Sequence, residues 1–343
     1  MYIFEEYHYN QLDCLKDDWI KLSKGKDMSI YQSYEWYQML RSYSLADNHL
    51  HTNIFVVCRN KNREALLIAP LWILRHSLWW PFNRKGAYLL GREGSSDYLN
   101  IIYNEFYPEA LDFVIQQIKV KYKIKNFKFE LIREDTSLYS YLLKKNIVRD
   151  HRLISVGLEL PETYEEYLST LSKSAKQNLR TANNRIIKDG KSLKFILDDL
   201  NVDRNVCIDI KASRIKKKNY EPHWGKRIKR NVYNFFRIKF PEYVPFLTSA
   251  DTHIMSIYCD GNLAAFFNYG INTNNKNVYI MTAGTNEEFA RYSPGILLMN
   301  EYIKYAITHK DLIKVIDFTR GDEKYKYVLG GKNHIIHSIR LTI

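Results

Sequence analysis

The chain has 343 residues, more than one ordinary domain needs, and 45% of them are hydrophobic, which excludes a disordered chain and provides for two packed cores. Lys and Arg number 51 against 38 Asp and Glu, a net charge of +13 that favours anionic partners such as a phosphate-bearing cofactor, RNA or an anionic membrane surface. A lysine-rich proteome gives the same surplus with no such partner. Cys14, Cys58, Cys207 and Cys259 match no metal-ligand spacing, no stretch approaches the roughly 18 apolar residues of a membrane span, and the opening MYIFEEYHYNQ lacks a basic stretch before an apolar core. A cytoplasmic protein with free thiols, no metal and no membrane span is expected.

Residues 11–23 and 34–44 are predicted helices, with Trp36, Met39, Leu40 and Tyr43 at helical spacing. Strands follow at 53–58 and 65–74 around a polar Asn60–Arg63 turn, with a short one at Tyr88–Leu90. The apolar run Leu78-Trp79-Trp80-Pro81-Phe82 is expected to pack inside or between domains, the alternative being contact with a membrane or partner. A loop from Gly91 to Ser96 leads to Asp97-Tyr98 and a predicted strand at Leu99–Tyr103, then a helix over 107–121 and a strand at Phe127–Ile132.

The second half repeats this order. A strand at Leu153–Leu160 is broken by Pro161, and a helix starts near Thr163. In it Tyr164, Leu168, Leu171, Ala175, Leu179, Ala182 and Ile186 recur at steps of three and four, and Gly190 ends it. A strand at 193–197 and helices at about 202–215 and 226–239 come next. Three strands follow at Thr252–Cys259, Asn262–Gly270 and Asn277–Thr282, the first two joined by an Asp260-Gly261 turn. A helix from about Gly295 to His309, a strand at Lys314–Phe318 and a half-buried alternating strand at His334–Ile343 close the chain. The fold expected is α/β (α+β), two tandem domains at 1–151 and 152–343, each a mixed, largely antiparallel sheet flanked by helices.

Two segments carry candidate chemistry. Ser293-Pro294-Gly295 opens a helix, with Ser293 placed to cap it and Pro294 suited to the first position. The first helical amides lack internal partners and carry partial positive charge, so a phosphate fits there, and glycine permits close approach. A merely well-capped helix reads the same way. The block Asp317-Phe318-Thr319-Arg320-Gly321-Asp322-Glu323-Lys324-Tyr325-Lys326 follows an apolar strand, and charge crowded around a glycine at a strand's end is typical of a site mouth. A solvated turn of paired charges is the alternative. Lys173, Lys176 and Arg180 share a helix face, and Arg214–Lys218 precedes Tyr220, His223 and Trp224, a basic and aromatic mixture that binds sugars, bases or phosphates or else forms an ordinary surface.

The segments SPGILLMNEYIKYAI and VIDFTRGDEKYKYVLGG resemble the C-terminal signature of GNAT-type acyltransferases of the CelD-like branch, associated with polysaccharide biosynthesis and related to the tandem-GNAT Fem peptidyltransferases. Ile30–Trp36, Asp97-Tyr98 and Leu171–Arg180 resemble other pieces of the same pattern, so the likeness covers most of the chain. It implies an acyl-CoA donor, acetyl-CoA first, with the strand near Gly284 offering amides to the thioester carbonyl and the turn Ser293-Pro294-Gly295-Ile296 holding the pyrophosphate. That turn has fewer glycines than the usual GNAT phosphate loop. Acyl transfer needs a base, a stabilised oxyanion and a proton for the thiolate. Asp322 or Asp317 is the candidate base, Tyr325 the acid, and Lys326 a partner for an anionic group, while Asp317 fixing the Gly321 turn is the structural alternative.

The function expected is therefore N- or O-acyl transfer to a sugar, sugar nucleotide or amino sugar, with Lys173, Lys176, Arg180, His223 and Trp224 on the acceptor and no DNA partner. An aminoacyl-tRNA-dependent Fem-like transferase and a non-enzymatic polysaccharide- or partner-binding member are the alternatives. The first 151 residues, which lack a counterpart of the Asp317–Lys326 block, are expected to be a degenerate partner domain.

Overall fold

The computed structural model describes residues 1–41, 51–75, 85–91, 96–219 and 252–343, without the side chains of 214–219. The predicted helix at 226–239, the aromatic pair His223 and Trp224 and the apolar run 78–82 lie outside the described residues. The chain divides into two compact units, one of Met1–Ser155 with His334–Ile343 and the other of Val156–Asn333. The last ten residues thus belong with the first half, whereas the sequence pattern assigns them to the second.

In the first unit the strands are β1 (Ile3–Tyr7), β2 (His51–Arg59), β3 (Ala65–Leu74), β4 (Gly86–Leu89), β5 (Asn126–Arg133), the first part of β6 (Ile147–Glu159) and β12 (Lys332–Thr342). They lie in the order β1-β2-β3-β4-β5-β12-β6. β4 and β5 are parallel, pairing Ala87 with Phe127 and Tyr88 with Lys128. β12 runs antiparallel to β5, from Ile336↔Arg133 to Thr342↔Asn126. Helices α1 (Lys16–Leu22), α2 (Tyr34–Arg41), α3 (Pro108–Tyr122) and α4 (Ser137–Leu142) complete the unit. Trp19 organises the core below α1 and α2. Its ring meets Tyr34, Tyr37 and Phe55, and its Nε1 donates to the Gln32 carbonyl at 2.9 Å.

The predicted strand at Leu99–Tyr103 is buried but irregular. Ile102 makes an isolated bridge to Ile68, and Leu99 N–H donates to the Leu131 carbonyl at 3.1 Å. The Asn100 side chain accepts the Ile101 N–H at 2.8 Å, a local bond that competes with a ladder.

The second unit carries the end of β6, then β11 (Val315–Arg320), β10 (Asn277–Thr285), β9 (Asn262–Asn272), β8 (His253–Cys259) and β7 (Leu193–Ile196), in that order across its sheet. Its helices are α5 (Tyr164–Thr170), α6 (Lys173–Lys188), α7 (Arg204–Asn219), α8 (Pro294–Thr308) and α9 (Lys324–Val328). The hairpin between β8 and β9 turns at Asp260 (φ 49°) and Gly261 (φ 83°), the two left-handed residues an Asp-Gly turn requires.

The long helix predicted from Thr163 to Gly190 is two. Leu171 (ψ 144°) and Ser172 (ψ 155°) are extended, and the Ser172 hydroxyl caps α6 by accepting the Ala175 N–H at 3.1 Å. Apolar spacing passes through the break because buried Leu171 still points inward, where its Cδ2 lies 3.2 Å from the position of a Cβ on Gly330.

Candidate active site

The site builds from the way β10 loses its neighbour. Parallel pairing with β11 covers Asn277↔Val315, Val278↔Ile316 and Tyr279↔Asp317. β10 then continues with β9 alone as far as Thr285↔Ala265. The β9 register also shifts between Ile280 and Thr282, so Met281 is an extra residue, a bulge that re-aims the peptides beyond it. A strand parted from its neighbour and bulged at the parting leaves main-chain groups from 282 to 285 with no β11 partner.

Gly284 is glycine for a packing reason. A Cβ there would lie 2.3 Å from Phe266 Cε1 and 3.0 Å from Ile210 Cγ2. Ile210 belongs to α7, which lies over this face of β10, where Lys211 Nζ donates to Thr282 Oγ1 at 3.3 Å. Burial pushes the Cys207 thiol on the same helix up to about 12, so it stays protonated and inert.

After β10, Asn286 caps a short 3-10 helix, Glu287–Tyr292, which delivers the chain to α8. Ser293 stands at the N-cap position but does not cap through its side chain. It is left-handed (φ 49°, ψ 49°), its hydroxyl makes no cap bond, and its carbonyl accepts the N–H groups of Ile296 (3.0 Å) and Leu297 (3.2 Å). The Ile296 amide is therefore spent within the corner. Pro294 has no N–H, which leaves the Gly295 amide without a partner among the described residues. A Cβ on Gly295 would sit 3.3 Å from Thr285 Oγ1, so this amide lies beside the end of the bulged strand. An anionic oxygen fits such a corner: one unspent amide, the positive end of a fifteen-residue helix and a glycine that adds no side chain of its own.

The end of α6 fixes this corner, a connection that apolar spacing gives no sign of. Arg185 Nη1 donates to the Arg291 carbonyl at 2.7 Å, Arg291 Nη2 meets Asp189 Oδ2 at 3.0 Å, and Tyr292 OH donates to the same oxygen at 2.8 Å. That hydrogen bond to the carboxylate raises the Tyr292 phenol above its ordinary range. Lys173 and Arg180 are exposed and Lys176 half-buried, and none of the three side chains has a hydrogen bond or ion pair with a described residue. No contact places them at the corner.

The Asp317–Lys326 block resolves into unlike parts. Asp322 is exposed and makes no bond with a described residue. Asp317 is half-buried, and its Oδ1 accepts the Thr319 N–H at 2.7 Å. Tyr325 is half-buried with its ring edge-on to Phe318, centroids 6.4 Å apart. Lys326 departs most from its expected place. It is 2% exposed, and its Nζ donates to the carbonyls of Thr319 (3.1 Å), Arg320 (3.0 Å) and Gly321 (3.1 Å) beside Glu323 Oε2 at 3.0 Å. In this structure its N–H groups are turned inward on the chain.

In the first unit the edge of β5 beyond its pairing with β4 is taken up among the described residues by Leu99, whose N–H donates to the Leu131 carbonyl. The pieces Ile30–Trp36 and Asp97-Tyr98 meet here. Gln32 Nε2 donates to the Tyr98 carbonyl (3.0 Å), Trp36 Nε1 to Ser96 Oγ (2.8 Å) and Tyr31 OH to Asp97 Oδ2 (3.3 Å). A fragment of residues 1–150 is expected to transfer no acyl group and to give a broad, weakly cooperative melt, since it also lacks β12. A sharp calorimetric transition with thiol release from acetyl-CoA would contradict this.

Residues 173–327, all within the second unit, match the family described as acetyltransferase (GNAT) domain. Among solved structures, the crystal structure of FemX is 11% identical, with 97% of this chain and 96% of that chain covered and a TM-score of 0.57. A conserved protein of unknown function from Bacteroides thetaiotaomicron is also 11% identical, with both chains fully covered and a TM-score of 0.55. At such identity these likenesses concern the fold, a mixed α/β arrangement of GNAT type. No curated protein matches the chain. Among the described residues no group of three His, Cys, Asp or Glu is placed to hold a metal, and no helix is long and apolar enough to cross a membrane.

Proposed function

We propose that the second unit transfers an acyl group from acyl-CoA, acetyl-CoA first, to an amine or hydroxyl of a sugar, sugar nucleotide or amino sugar, as in the CelD-like branch that serves polysaccharide biosynthesis in the cytoplasm. The observation that carries this is the succession at β10: loss of the β11 neighbour, bulge at Met281, then the unspent Gly295 amide at the start of α8. A thioester laid along the freed edge brings its carbonyl to main-chain amides and its pyrophosphate to α8. The acceptor nitrogen or oxygen attacks the carbonyl carbon, the C–S bond breaks, and the acceptor's proton ends on the departing thiolate. Asp322, exposed, uncommitted and just beyond β11, is the base in this reading. Tyr325 is the proton donor to the sulfur, and Asp317 orients the turn between them.

Gly295→Asp is expected to weaken acyl-CoA binding by roughly tenfold or more, because a carboxylate then faces the pyrophosphate. The parent melting temperature should rise with acetyl-CoA, and the variant's should rise far less. Equal shifts in both proteins would remove the pyrophosphate from this corner.

A second reading, aminoacyl-tRNA as donor, is favoured by α6, whose sixteen residues hold five basic and no acidic side chains. In that case uncharged tRNA, and not acetyl-CoA, raises the melting temperature, with a steep salt dependence.

A further inference from the structure

Thr319 is an unusual residue to find in a left-handed conformation. It is β-branched, 5% exposed, and has φ 59°. That region brings the branched Cβ against its own backbone and is adopted by such a side chain only where its surroundings hold it. Here they do so on every side. Its N–H donates to Asp317 Oδ1, its carbonyl accepts from Lys326 Nζ, and its hydroxyl crosses to β10 and donates to the Ile280 carbonyl at 3.1 Å. Ile280 is the last residue before the bulge, and the β9 register resumes at Thr282↔Asn268. A peptide unit is planar, so fixing the Ile280 carbonyl also fixes the Met281 N–H opposite it and the phase of the strand that follows.

We infer that Thr319 is a positioning residue for acyl transfer: its hydroxyl sets the bulge of β10 so that the peptides beyond it meet the thioester carbonyl, while Asp317 and Lys326 hold Thr319 in place. This rests on the acyl-CoA reading above. It assigns the conspicuous Asp317–Lys326 block a task carried out through the main chain of a neighbouring strand. The hydroxyl is the active element. Valine has the same shape and the same left-handed cost but cannot bridge to Ile280, and serine keeps the bridge.

The test needs no acceptor. Affinities of acetyl-CoA and S-ethyl-CoA, which lacks the carbonyl oxygen, are measured by calorimetry for the parent, Thr319→Val and Thr319→Ser. Hydrogen exchange is followed in peptides covering 277–285. The parent should prefer acetyl-CoA by roughly tenfold, the worth of one good hydrogen bond. Thr319→Val should lose most of that preference, bind S-ethyl-CoA as the parent does, and exchange faster beyond Ile280. Thr319→Ser should restore both. A preference kept in Thr319→Val, a preference lost in Thr319→Ser, or binding of both ligands lost together with the melting temperature would overturn the assignment. A parent that binds both ligands equally would overturn it while leaving acyl-CoA in the site. A parent that binds neither would end the acyl-CoA reading and the assignment with it.

Discussion

Lys326→Met is expected to lower the melting temperature of the second unit by roughly 10 °C and to take activity down with it. Lys326 is 2% exposed, and its ammonium holds three successive carbonyls, those of Thr319, Arg320 and Gly321, beside the Glu323 carboxylate. Methionine fills much of the volume but leaves those acceptors turned inward with no donor. Removing one member of a buried charged arrangement costs about 3–5 kcal/mol, and in a unit of this size each kcal/mol moves the midpoint by about 2–4 °C. Arginine is not a rescue, because its planar fork does not match three carbonyls converging on a point. Asp322→Asn provides the contrast. That side chain is exposed and uncommitted, so its loss should cost about 0.5 kcal/mol or less while lowering turnover. Differential scanning calorimetry with turnover on the same samples separates the two. An unchanged melting temperature in Lys326→Met would mean that the inward carbonyls find water instead.

Gly284→Val should cost about 3 kcal/mol and abolish acyl transfer in whatever fraction still folds. The first added carbon already lies 2.3 and 2.8 Å from Phe266 ring atoms, and Phe266 is wholly buried under α7 with Ile210, Val202 and Leu263. The ring has nowhere to go, so β10 must shift where it is free of β11. A valine here therefore moves the strand edge on which the thioester is proposed to lie. Urea denaturation compared with acetyl-CoA affinity checks both halves. Parental stability would show that the Phe266 pocket has room that its packing does not reveal.

How legible these features are in the sequence follows from how far apart their causes lie. The hairpin strands β8, β9 and β10 and helix α3 are readable because each records its environment in its own period: the pattern predicts a helix over 107–121, and Pro108–Tyr122 is one. Where one residue overrules the pattern, the reading fails. Ser172 caps α6 in the middle of an unbroken apolar spacing, and Asn100 pulls Leu99–Tyr103 out of a ladder. Site chemistry fades for a related reason. Lysine in a charged turn reads as solvated, and only the positive φ of Thr319 and Gly321, invisible in the sequence, folds three carbonyls back around it. The corner at Gly295 was legible as a helix start. The tie from Asp189 to Arg291 and Tyr292 was not, since it joins residues about a hundred positions apart.

The placement of β12 has a consequence for how the protein is made. Leu131 N–H of β5 reaches the hydroxyl of Ser338 across 207 residues of chain. While a ribosome is still producing the second unit, the first exposes β5 as an open strand edge, the kind of surface that chaperones and neighbouring nascent chains engage. Its closure waits for residues 334–343 to emerge. A message cut short, or a translation stalled anywhere in the second unit, thus releases a polypeptide whose earliest-made half is unfinished and open to degradation.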